Sequence, residues 1–388
     1  MEFKLNETQE MVQSMARDFA EKYIACRVEE IEKELKVPQD LFANMASAGL
    51  LGISFPEEYG GAGLGYEHLV LTYEEISKVS ASANMVNLVS ILFLEAVNTF
   101  GTKEQKEKYL PAGINGEFRG SMAFTEPGTG SDPKQLTATY RKEGDYYVLN
   151  GTKRFISNAS YDGPILVFAK DADTGECTGF IFEKFCEGYS ISTPWDCVGL
   201  KGSAIYDVFM DNVKVPADKI NILGGVGKGF PTLLGTVAYS KVGLCATFLG
   251  TMAASYEAAV KYAREKMHRD EPISKFQAIQ LKIAKIAGIY ESTRLLVYKL
   301  GEDANDRSDM TRLKARVGMT KAHVSDISVE CSLLAMNVLG AYGVTAEYNV
   351  ERFLRDSLIA PHIEGVSDLQ RIIAGSYILS CGKNKFQG

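Results

Sequence analysis

The sequence predicts a multidomain α+β protein in which two helical domains flank a β domain. The 388 residues exceed what one hydrophobic core usually holds, so two or three domains are expected. Short β-rich runs with turn signals are confined to the middle of the chain, and helical periodicity holds on both sides. We therefore predict an N-terminal all-α domain (1–119), a middle antiparallel, barrel-like β domain (120–228) and a C-terminal four-helix bundle (229–388).

The first part of the chain has helical patterns. Asn6 is suited to cap the N-terminus of a first helix. The apolar face of that helix is predicted by residues at four-residue spacing, Met11, Met15, Phe19 and Tyr23. The segment PEEYGGAGLGY predicts a loop by its glycines and proline. Further helical patterns lie at 67–79, 86–100 and 103–109.

The middle of the chain alternates β-rich runs with turn signals, as in YYVLNGTKRFISN and IYDVFMDNVKVP. The dipeptide Asn150-Gly151 predicts a hairpin turn, and the segment 173–175 predicts another turn. An antiparallel sheet or small barrel of about 100 residues follows from this pattern.

Helical periodicity returns at Phe230 and continues to the end of the chain. Long helices joined by short loops predict an antiparallel bundle. The four candidates are three long segments and one shorter one, at 233–267, 275–300, 313–339 and 368–379.

Composition argues against several classes of function. The net charge is −7 and no long basic run offsets it, which argues against nucleic acid as the main partner. The start MEFKLNETQE has no apolar segment, so no secretory signal is expected. The sequence has no charge-free apolar stretch of 18 residues, so no membrane span is expected either. Seven dispersed cysteines predict reduced, buried thiols in a reducing compartment. We predict a bacterial cytoplasm, and a mitochondrial matrix reached after processing is the less favoured alternative. Four separated histidines do not predict a metal site.

Three segments carry candidate site residues. FTEPGTGSDP (124–133) combines small residues, hydroxyls and backbone amides, which suits a flat heteroaromatic ring or a phosphate as well as a polar turn. In KRFISN (153–158), Phe155 and Ser157 share one side of a strand, where they suit a ligand or a plain core edge. Glu364 follows the apolar run LIAPHI, so it is either a turn residue or a base in an apolar pocket.

Eight segments, in this order and at this spacing, resemble the acyl-CoA dehydrogenase family: PEEYGG, FTEPGTGSD, LNGTKRFISN, MDNVKVP, KFQAIQ, LGAYG, ERFLRD and IEG. The resemblance covers about residues 3–379. It implies the family fold of a helical N-terminal domain, a middle β domain and a C-terminal four-helix bundle, usually assembled as a homotetramer. It also implies FAD, held between the β domain and the bundle, and the oxidation of an acyl thioester to the 2-enoyl thioester.

The resemblance also implies roles for individual residues. Glu364 matches the base that removes the substrate α-proton while the β-hydrogen leaves as hydride to flavin N5. Its backbone N–H and a flavin ribityl hydroxyl hold the thioester carbonyl, and Gly365 leaves room for the thioester. Ser157 matches a hydroxyl that faces N5, and Phe155 an aromatic side chain that covers the ring. The family positions that contact the flavin and its phosphates correspond here to Phe124, Thr125, Gly130 and Ser131. Ser131 is also predicted to contact the substrate.

The segment expected to hold the other half of FAD, across a subunit boundary, departs from the family pattern. KMHRDEPI stands where R-x-Q-F-G-x-P-I is usual, so a lysine replaces the arginine that binds the pyrophosphate. Each lost polar contact is worth about 0.5–1.5 kcal/mol, so FAD binding is expected to weaken unless the new basic residues restore the phosphate contacts. The cofactor positions with changed residues are Lys266, Arg269, Asn337, Val366 and Asp368.

The substrate side departs from the family as well. Ala238 and Lys241 stand where members that bind CoA often have an aspartate and an arginine. In those members the aspartate contacts the pantetheine arm of CoA. Its loss leaves open the alternative that the substrate is an acyl-carrier-protein thioester or an unusual thioester. The apolar segment 83–95 is expected to line the acyl pocket and favours an apolar acyl tail.

We predict an FAD-dependent acyl-CoA dehydrogenase that passes electrons to an electron-transferring flavoprotein. A dehydrogenase for an acyl-carrier-protein thioester in a biosynthetic pathway is one alternative. An enoyl thioester reductase, which runs the same chemistry backwards, is another. An FAD-poor scaffold subunit of a heteromeric complex is the third, and the intact Glu364, Thr125 and Ser157 oppose it.

Overall fold

The computed structural model describes residues 4–381 and Phe386. Helices occupy the described chain up to Ile114, strands lie between Ser121 and Leu223, and long helices return at Gly229. The predicted order of a helical part, a sheet and a second helical part is therefore confirmed. The described N-terminal helices are α1 (Glu7–Phe19), α2 (Val28–Glu34), α3 (Gln39–Ser47), α4 (Tyr66–Val79), α5 (Ala81–Phe100) and α6 (Lys103–Ile114).

Helix α1 buries a face that shares only Phe19 with the predicted one. Asn6 caps it with a reciprocal capping box, as expected for the cap. The buried residues are Val12, Ala16 and Phe19, whereas Met11, Met15 and Tyr23 are 64%, 36% and 39% exposed. The small Ala16 allows α1 to pack closely on α4, where Arg17 donates two hydrogen bonds to Glu75. A π-helical turn (Ala20–Ile24) follows directly and changes the direction in which the next side chains point.

The β domain is an open, mixed sheet and not a barrel. Its strands are β1 (Ser121–Ala123), β2 (Thr139–Glu143), β3 (Tyr146–Ser157), β4 (Pro164–Asp171), β5 (Cys177–Glu183), β6 (Tyr189–Ile191), β7 (Ile205–Pro216) and β8 (Ile222–Leu223). They pair in the order β6-β7-β3-β2-β4-β5-β8, with β1 added beside β4. Most pairs are antiparallel as predicted, but β4 runs parallel to β1 and β2. Among the described strands β6 does not pair with β8, so the sheet stays open.

The hairpin between β2 and β3 turns at Gly144 and not at Asn150-Gly151, which was the predicted position. Both of these residues lie inside β3, at an irregularity in its pairing with β7. Gly151 has φ +140°, and a Cβ there would lie 2.7 Å from the Cβ of Ala138. Glycine is therefore needed at position 151 because Ala138 packs closely against it, and not because the chain turns there. The turn predicted at 173–175 is confirmed between β4 and β5.

The described C-terminal part contains the four predicted α-helices and one further α-helix. The helices are α7 (Gly229–Glu265), α8 (Gln277–Asn305), α9 (Met310–Leu339), α10 (Val350–Ile359) and α11 (Ser367–Cys381). Helix α9 contacts α7, α8 and α11, so the predicted four form one bundle. A hairpin of β9 (Met267–His268) and β10 (Glu271–Pro272) joins α7 to α8. Helices α5 and α7 contact β1 and β5, so helices from both ends of the chain cover part of the sheet, which explains why it need not close on itself.

Three segments are long and apolar enough to span a membrane, contrary to the expectation that none is. By length and composition alone, Ala81–Phe100, Gly229–Glu265 and Met310–Val344 qualify. The qualifying windows of the first two are 83% and 94% buried inside the protein, and that of the third is 39% buried. Core packing of α5 and α7 against α4 and against each other accounts for the apolar character of the first two.

Candidate active site

A cavity of 430 Å³ lies where the β domain, helix α5 and the turn between α10 and α11 meet. It joins parts of the chain that are far apart in sequence. Nine of the predicted site residues line it: Phe124, Thr125, Gly130, Ser131, Phe155, Ser157, Glu364, Gly365 and Val366.

The wall that α5 contributes is apolar. It is formed by Met85, Val89 and Leu92, with Met122 of β1 beside them. These three positions fall on one face of a helix. Glu95, in the same segment, is absent from the lining and pairs instead with Arg307 at 2.9 Å. Segment 83–95 therefore adds no charge to the cavity.

The segment FTEPGTGSDP forms a loop after β1 that a buried ion pair holds in place. The Glu126 Oε1 and Lys153 Nζ atoms lie 2.7 Å apart, with both side chains at most 1% exposed. Glu126 also accepts hydrogen bonds from the N–H and the hydroxyl of Thr137. Burial alone would raise the pKa of Glu126, but the Lys153 charge and these hydrogen bonds lower it. Because Lys153 lies on β3, the pair fixes the loop against the strand that carries Phe155 and Ser157.

The end of β3 presents both predicted side chains to the cavity. Phe155 has φ +60°, and the pairing of β3 with β7 shifts register between Lys153 and Ile156. The strand bulges here, so simple alternation does not apply, yet Phe155 and Ser157 both line the cavity. The Phe155 ring is half exposed and its centroid lies 5.4 Å from that of Trp195.

Glu364 lies in the turn between α10 and α11 and lines the same cavity as α5 and β3. Glu364 and Gly365 have φ of +53° and +84°, and a Cβ on Gly365 would lie 2.4 Å from Nε2 of Gln370. The Glu364 carboxylate accepts a 2.9 Å hydrogen bond from the hydroxyl of Ser240 on α7. The carbonyl of Gly365 accepts a 2.8 Å hydrogen bond from the ammonium of Lys321 on α9. Helices α7 and α9 therefore both position this turn.

Ser240 and Lys321 are site neighbours that the sequence did not reveal. They lie 124 and 44 residues from their partners in the turn. Local periodicity cannot pair residues so far apart. The one available signal was that Ser240 falls between Ala238 and Lys241, which the family resemblance had already marked.

Ala238 and Lys241 are not on the cavity wall, although a role in substrate binding was predicted for both. They are 2% and 8% exposed, inside the packing of α7. The Lys241 ammonium donates to the carbonyl of Val237 at 3.1 Å, and burial lowers its pKa. The two residues flank Ser240 from within the helix.

Four predicted cofactor residues lie outside the cavity: Lys266, Arg269, Asn337 and Asp368. The Lys266 ammonium lies 4.8 Å above the ring of Tyr342, and the carboxylate of Asp368 pairs with Arg371 at 2.8 Å. Arg269, Asn337 and Asp368 are exposed. Exposure is what contacts from a neighbouring subunit require, so their role stays a prediction.

The sheet side of the cavity fits the flavin part of FAD. Within the described chain, the hydroxyls of Thr125, Ser131 and Ser157 make no hydrogen bond, and the aromatic ring of Phe155 lies on the same cavity wall. The backbone N–H of Glu364 also has no partner among the described residues. A flat ring with polar edges would stack on the aromatic side chain and supply partners for the hydroxyls.

Comparison with known proteins identifies one family along the chain. Three domain models of acyl-CoA dehydrogenases match: the N-terminal domain at residues 6–117, the middle domain at 121–213 and the C-terminal domain at 227–379.

Two relatives and one solved structure are similar over nearly the whole chain. A 3-(aryl)acrylate reductase of Clostridium sporogenes is 37% identical and covers 96% of this chain and 99% of its own. The caffeyl-CoA reductase-Etf complex subunit CarC of Acetobacterium woodii is 33% identical over 96% of this chain and 99% of its own. The structure of butyryl-CoA dehydrogenase from Megasphaera elsdenii superposes with a TM-score of 0.92 at 31% identity, covering 98% of this chain and 100% of that one.

Proposed function

The chain belongs to the acyl-CoA dehydrogenase family, and we propose from this premise that Glu364 is the base that removes the α-proton of an acyl thioester bound in the cavity. The protein is an FAD-dependent oxidoreductase that acts on the CH–CH bond of acyl thioesters. One observation carries the assignment of the base: Glu364 is the single carboxylate among the described residues that line the cavity.

The chemistry of the α-proton explains why this turn suits a base. A thioester α-proton is weakly acidic, and hydrogen bonds to the carbonyl oxygen make it removable by stabilising enolate character. The unpartnered N–H of Glu364 can donate such a bond, while the carboxylate of the same residue accepts the proton. Ser240 orients the carboxylate, and the apolar side chains of α5 exclude water from the acyl tail. FAD, when bound beside Thr125, Ser131 and Ser157, supplies the acceptor for the β-hydrogen.

The test of this proposal is the variant Glu364→Gln. General-base catalysis typically contributes about 10²–10⁴-fold, so we expect the rate of flavin bleaching by acyl-CoA under anaerobic conditions to fall by that factor. The flavin absorbance of the purified variant should match that of the wild type. Glu143→Gln, at an exposed position, is the matched control. Bleaching at the wild-type rate in Glu364→Gln would contradict the proposal.

The reverse reaction, enoyl thioester reduction, is the second candidate. Two relatives that match almost end to end carry reductase names, and one of those names includes an Etf complex. The same base serves both directions, because the residue that removes an α-proton also returns it. Chemically reduced protein should be reoxidised by a 3-aryl-2-enoyl-CoA, followed as the return of flavin absorbance. If no enoyl-CoA reoxidises the flavin while a saturated acyl-CoA bleaches it, the oxidative direction stands alone.

The acyl carrier and the electron partner belong to the same proposal. Ala238 motivated the acyl-carrier-protein alternative, but it lies off the cavity wall, so we propose CoA thioesters and expect them to react faster than carrier-protein thioesters. We propose an electron-transferring flavoprotein as the electron partner, which should accelerate turnover with CoA thioesters in a coupled assay.

A bacterial cytoplasm remains the predicted location, and the domain limits 119/120 and 228/229 remain predictions.

We propose a homotetramer assembled through the helical bundle. The supporting observation is a set of exposed apolar side chains on the bundle helices, Leu281, Leu295, Ile372 and Leu379, which are 73%, 52%, 64% and 89% exposed. Light scattering after size exclusion should give about four times the chain mass of 42.5 kDa. A monomeric mass would contradict this assembly.

A further inference from the structure

The turn that carries Glu364 has an unfavourable backbone conformation. Glu364 has φ +53°, in the left-handed region that residues other than glycine rarely adopt, and Gly365 follows at φ +84°. A non-glycine residue there costs about 1 kcal/mol or more, and such a conformation persists when its surroundings enforce it.

Helix α9 holds this turn at three points. The hydroxyl of Ser325 donates to the carbonyl of Ala360 at 3.1 Å, where the turn begins. The ammonium of Lys321 donates to the carbonyl of Gly365 at 2.8 Å. Where the turn ends, the hydroxyl of Ser367 donates to Asp326 at 3.1 Å. Of these contacts, the Lys321 bond lies closest in sequence to the carboxylate-bearing residue.

Lys321 is costly to bury, which argues for a specific use. It is 1% exposed and forms no ion pair with any described residue at salt-bridge distance. Burial lowers its pKa to about 8. Desolvating an ammonium is unfavourable unless hydrogen bonds compensate, and its one hydrogen bond within the described chain goes to the Gly365 carbonyl.

Among the described residues Lys321 forms no ion pair with Glu364, although both lie at the same turn. Cys245 and Lys241 face it from α7, Asp326 lies on its own helix, and Glu364 lies in the turn. The Glu364 carboxylate instead accepts from the neutral hydroxyl of Ser240 at 2.9 Å. The base therefore has no direct ion pair with any described residue, and such a pair would stabilise its unprotonated form and reduce its basicity.

We propose that Lys321 is a positioning residue, which fixes the peptide after Gly365 and thereby keeps the Glu364 carboxylate and backbone N–H aimed at the bound thioester. This inference rests on the proposed role of Glu364 as the base. The consequence is specific, because removing Lys321 should slow proton abstraction more than it weakens substrate binding. A displacement of about 1 Å at a reacting group can cost about 10²-fold in rate.

The test compares Lys321→Met with Lys314→Met, the same substitution on the same helix at a residue that makes no hydrogen bond to the turn within the described chain. Two quantities are measured in the FAD-loaded protein: exchange of the substrate α-proton with D₂O by mass spectrometry, and anaerobic flavin reduction over a range of acyl-CoA concentrations. We expect Lys321→Met to lower both rates about 10–100-fold, with KM changed less than about threefold. Lys321→Arg, which retains a cationic donor, should recover most of the loss, and Lys314→Met should behave as wild type.

Glu364→Gln separates failure of the inference from failure of the proposed function. If Glu364→Gln abolishes exchange while Lys321→Met exchanges at the wild-type rate, the positioning role is overturned and the base assignment stands. If Glu364→Gln exchanges normally, the base assignment fails and the inference fails with it. If Lys321→Met does not yield folded protein, Lys321→Gln replaces it in the test. The glutamine side chain is shorter than lysine and should not reach the Gly365 carbonyl, so the same loss of rate is expected.

Discussion

At the scale of single residues, a catalytic carboxylate must be both available and oriented. Glu364 is oriented by one neutral hydrogen bond, from Ser240 at 2.9 Å. The same hydroxyl lies 3.3 Å from the carbonyl of Val237, one helical turn earlier on α7. Ser240 therefore has a local alternative, and its contact with Glu364 is worth about one ordinary hydrogen bond.

Ser240→Ala should therefore cause a modest loss of rate. A hydrogen bond worth about 0.5–1.5 kcal/mol corresponds to roughly 2–10-fold, so flavin reduction by acyl-CoA should slow within that range. Ser240→Thr, which keeps the hydroxyl, should stay near the wild-type rate. The measurement is single-turnover flavin reduction, with Ser292→Ala on α8 as a control because, among the described residues, that hydroxyl bonds only within its own helix. A loss above about 100-fold in Ser240→Ala would mean that the hydroxyl does more than orient the base.

At the scale of elements, the loop after β1 and the end of β3 form one cavity wall. The buried Glu126–Lys153 pair joins them, and the carbonyl of Thr125 accepts from the N–H of Arg154 at 2.8 Å. A buried ion pair contributes less to stability than its geometry suggests, because both groups lose hydration. Removal of one partner is much more damaging than removal of both.

Lys153→Met should destabilise the protein strongly, by about 3–5 kcal/mol, because it leaves the Glu126 carboxylate buried and unpaired. The melting temperature and the FAD content of purified protein should both fall. The double variant Lys153→Met with Glu126→Gln should regain most of the melting temperature. If the double variant melts no higher than the single one, the pair contributes through packing and not through its charges.

At the scale of the whole molecule, buried lysines make stability depend on pH. The Lys184 ammonium donates to the carbonyls of Arg119 and Asn158 at 2.7 and 2.9 Å, and burial lowers its pKa to about 7. Burial likewise lowers the pKa of Lys321 to about 8. In the unfolded chain the pKa of a lysine is about 10.4. Between these values the unfolded chain binds more protons than the folded protein, so folding becomes more favourable as pH rises.

We therefore expect the melting temperature to rise by roughly 2–4 °C between pH 7 and pH 9, because the two pKa shifts together correspond to about 3 kcal/mol over this pH window and about 1 kcal/mol moves the melting temperature of a chain of this size by roughly 1 °C. Scanning calorimetry at several pH values in that window is the measurement. In Lys184→Met the rise should be smaller than in the wild type, whatever the absolute melting temperature. A melting temperature that falls from pH 7 to pH 9 would contradict this linkage.

Much of the fold could be predicted from the sequence because the signals are local. Helical and β-rich periodicity predicted the order of the three parts, and Asn6 predicted the cap of α1. Where tertiary contacts compete with a local signal, the prediction was wrong. Asn150 and Gly151 read as a turn, but the close approach of Ala138 and the bond from Asn212 to Asn150 place them inside β3.

Motifs of adjacent residues were sufficient to predict the family, the residue types of the cavity wall and Glu364 as the candidate base. Three features depend on three-dimensional packing instead: which face of α1 is buried, that the sheet stays open, and that Ser240 and Lys321 meet the turn around Glu364. The physical reason is distance along the chain: these contacts join residues up to 124 positions apart, and packing of whole helices sets them.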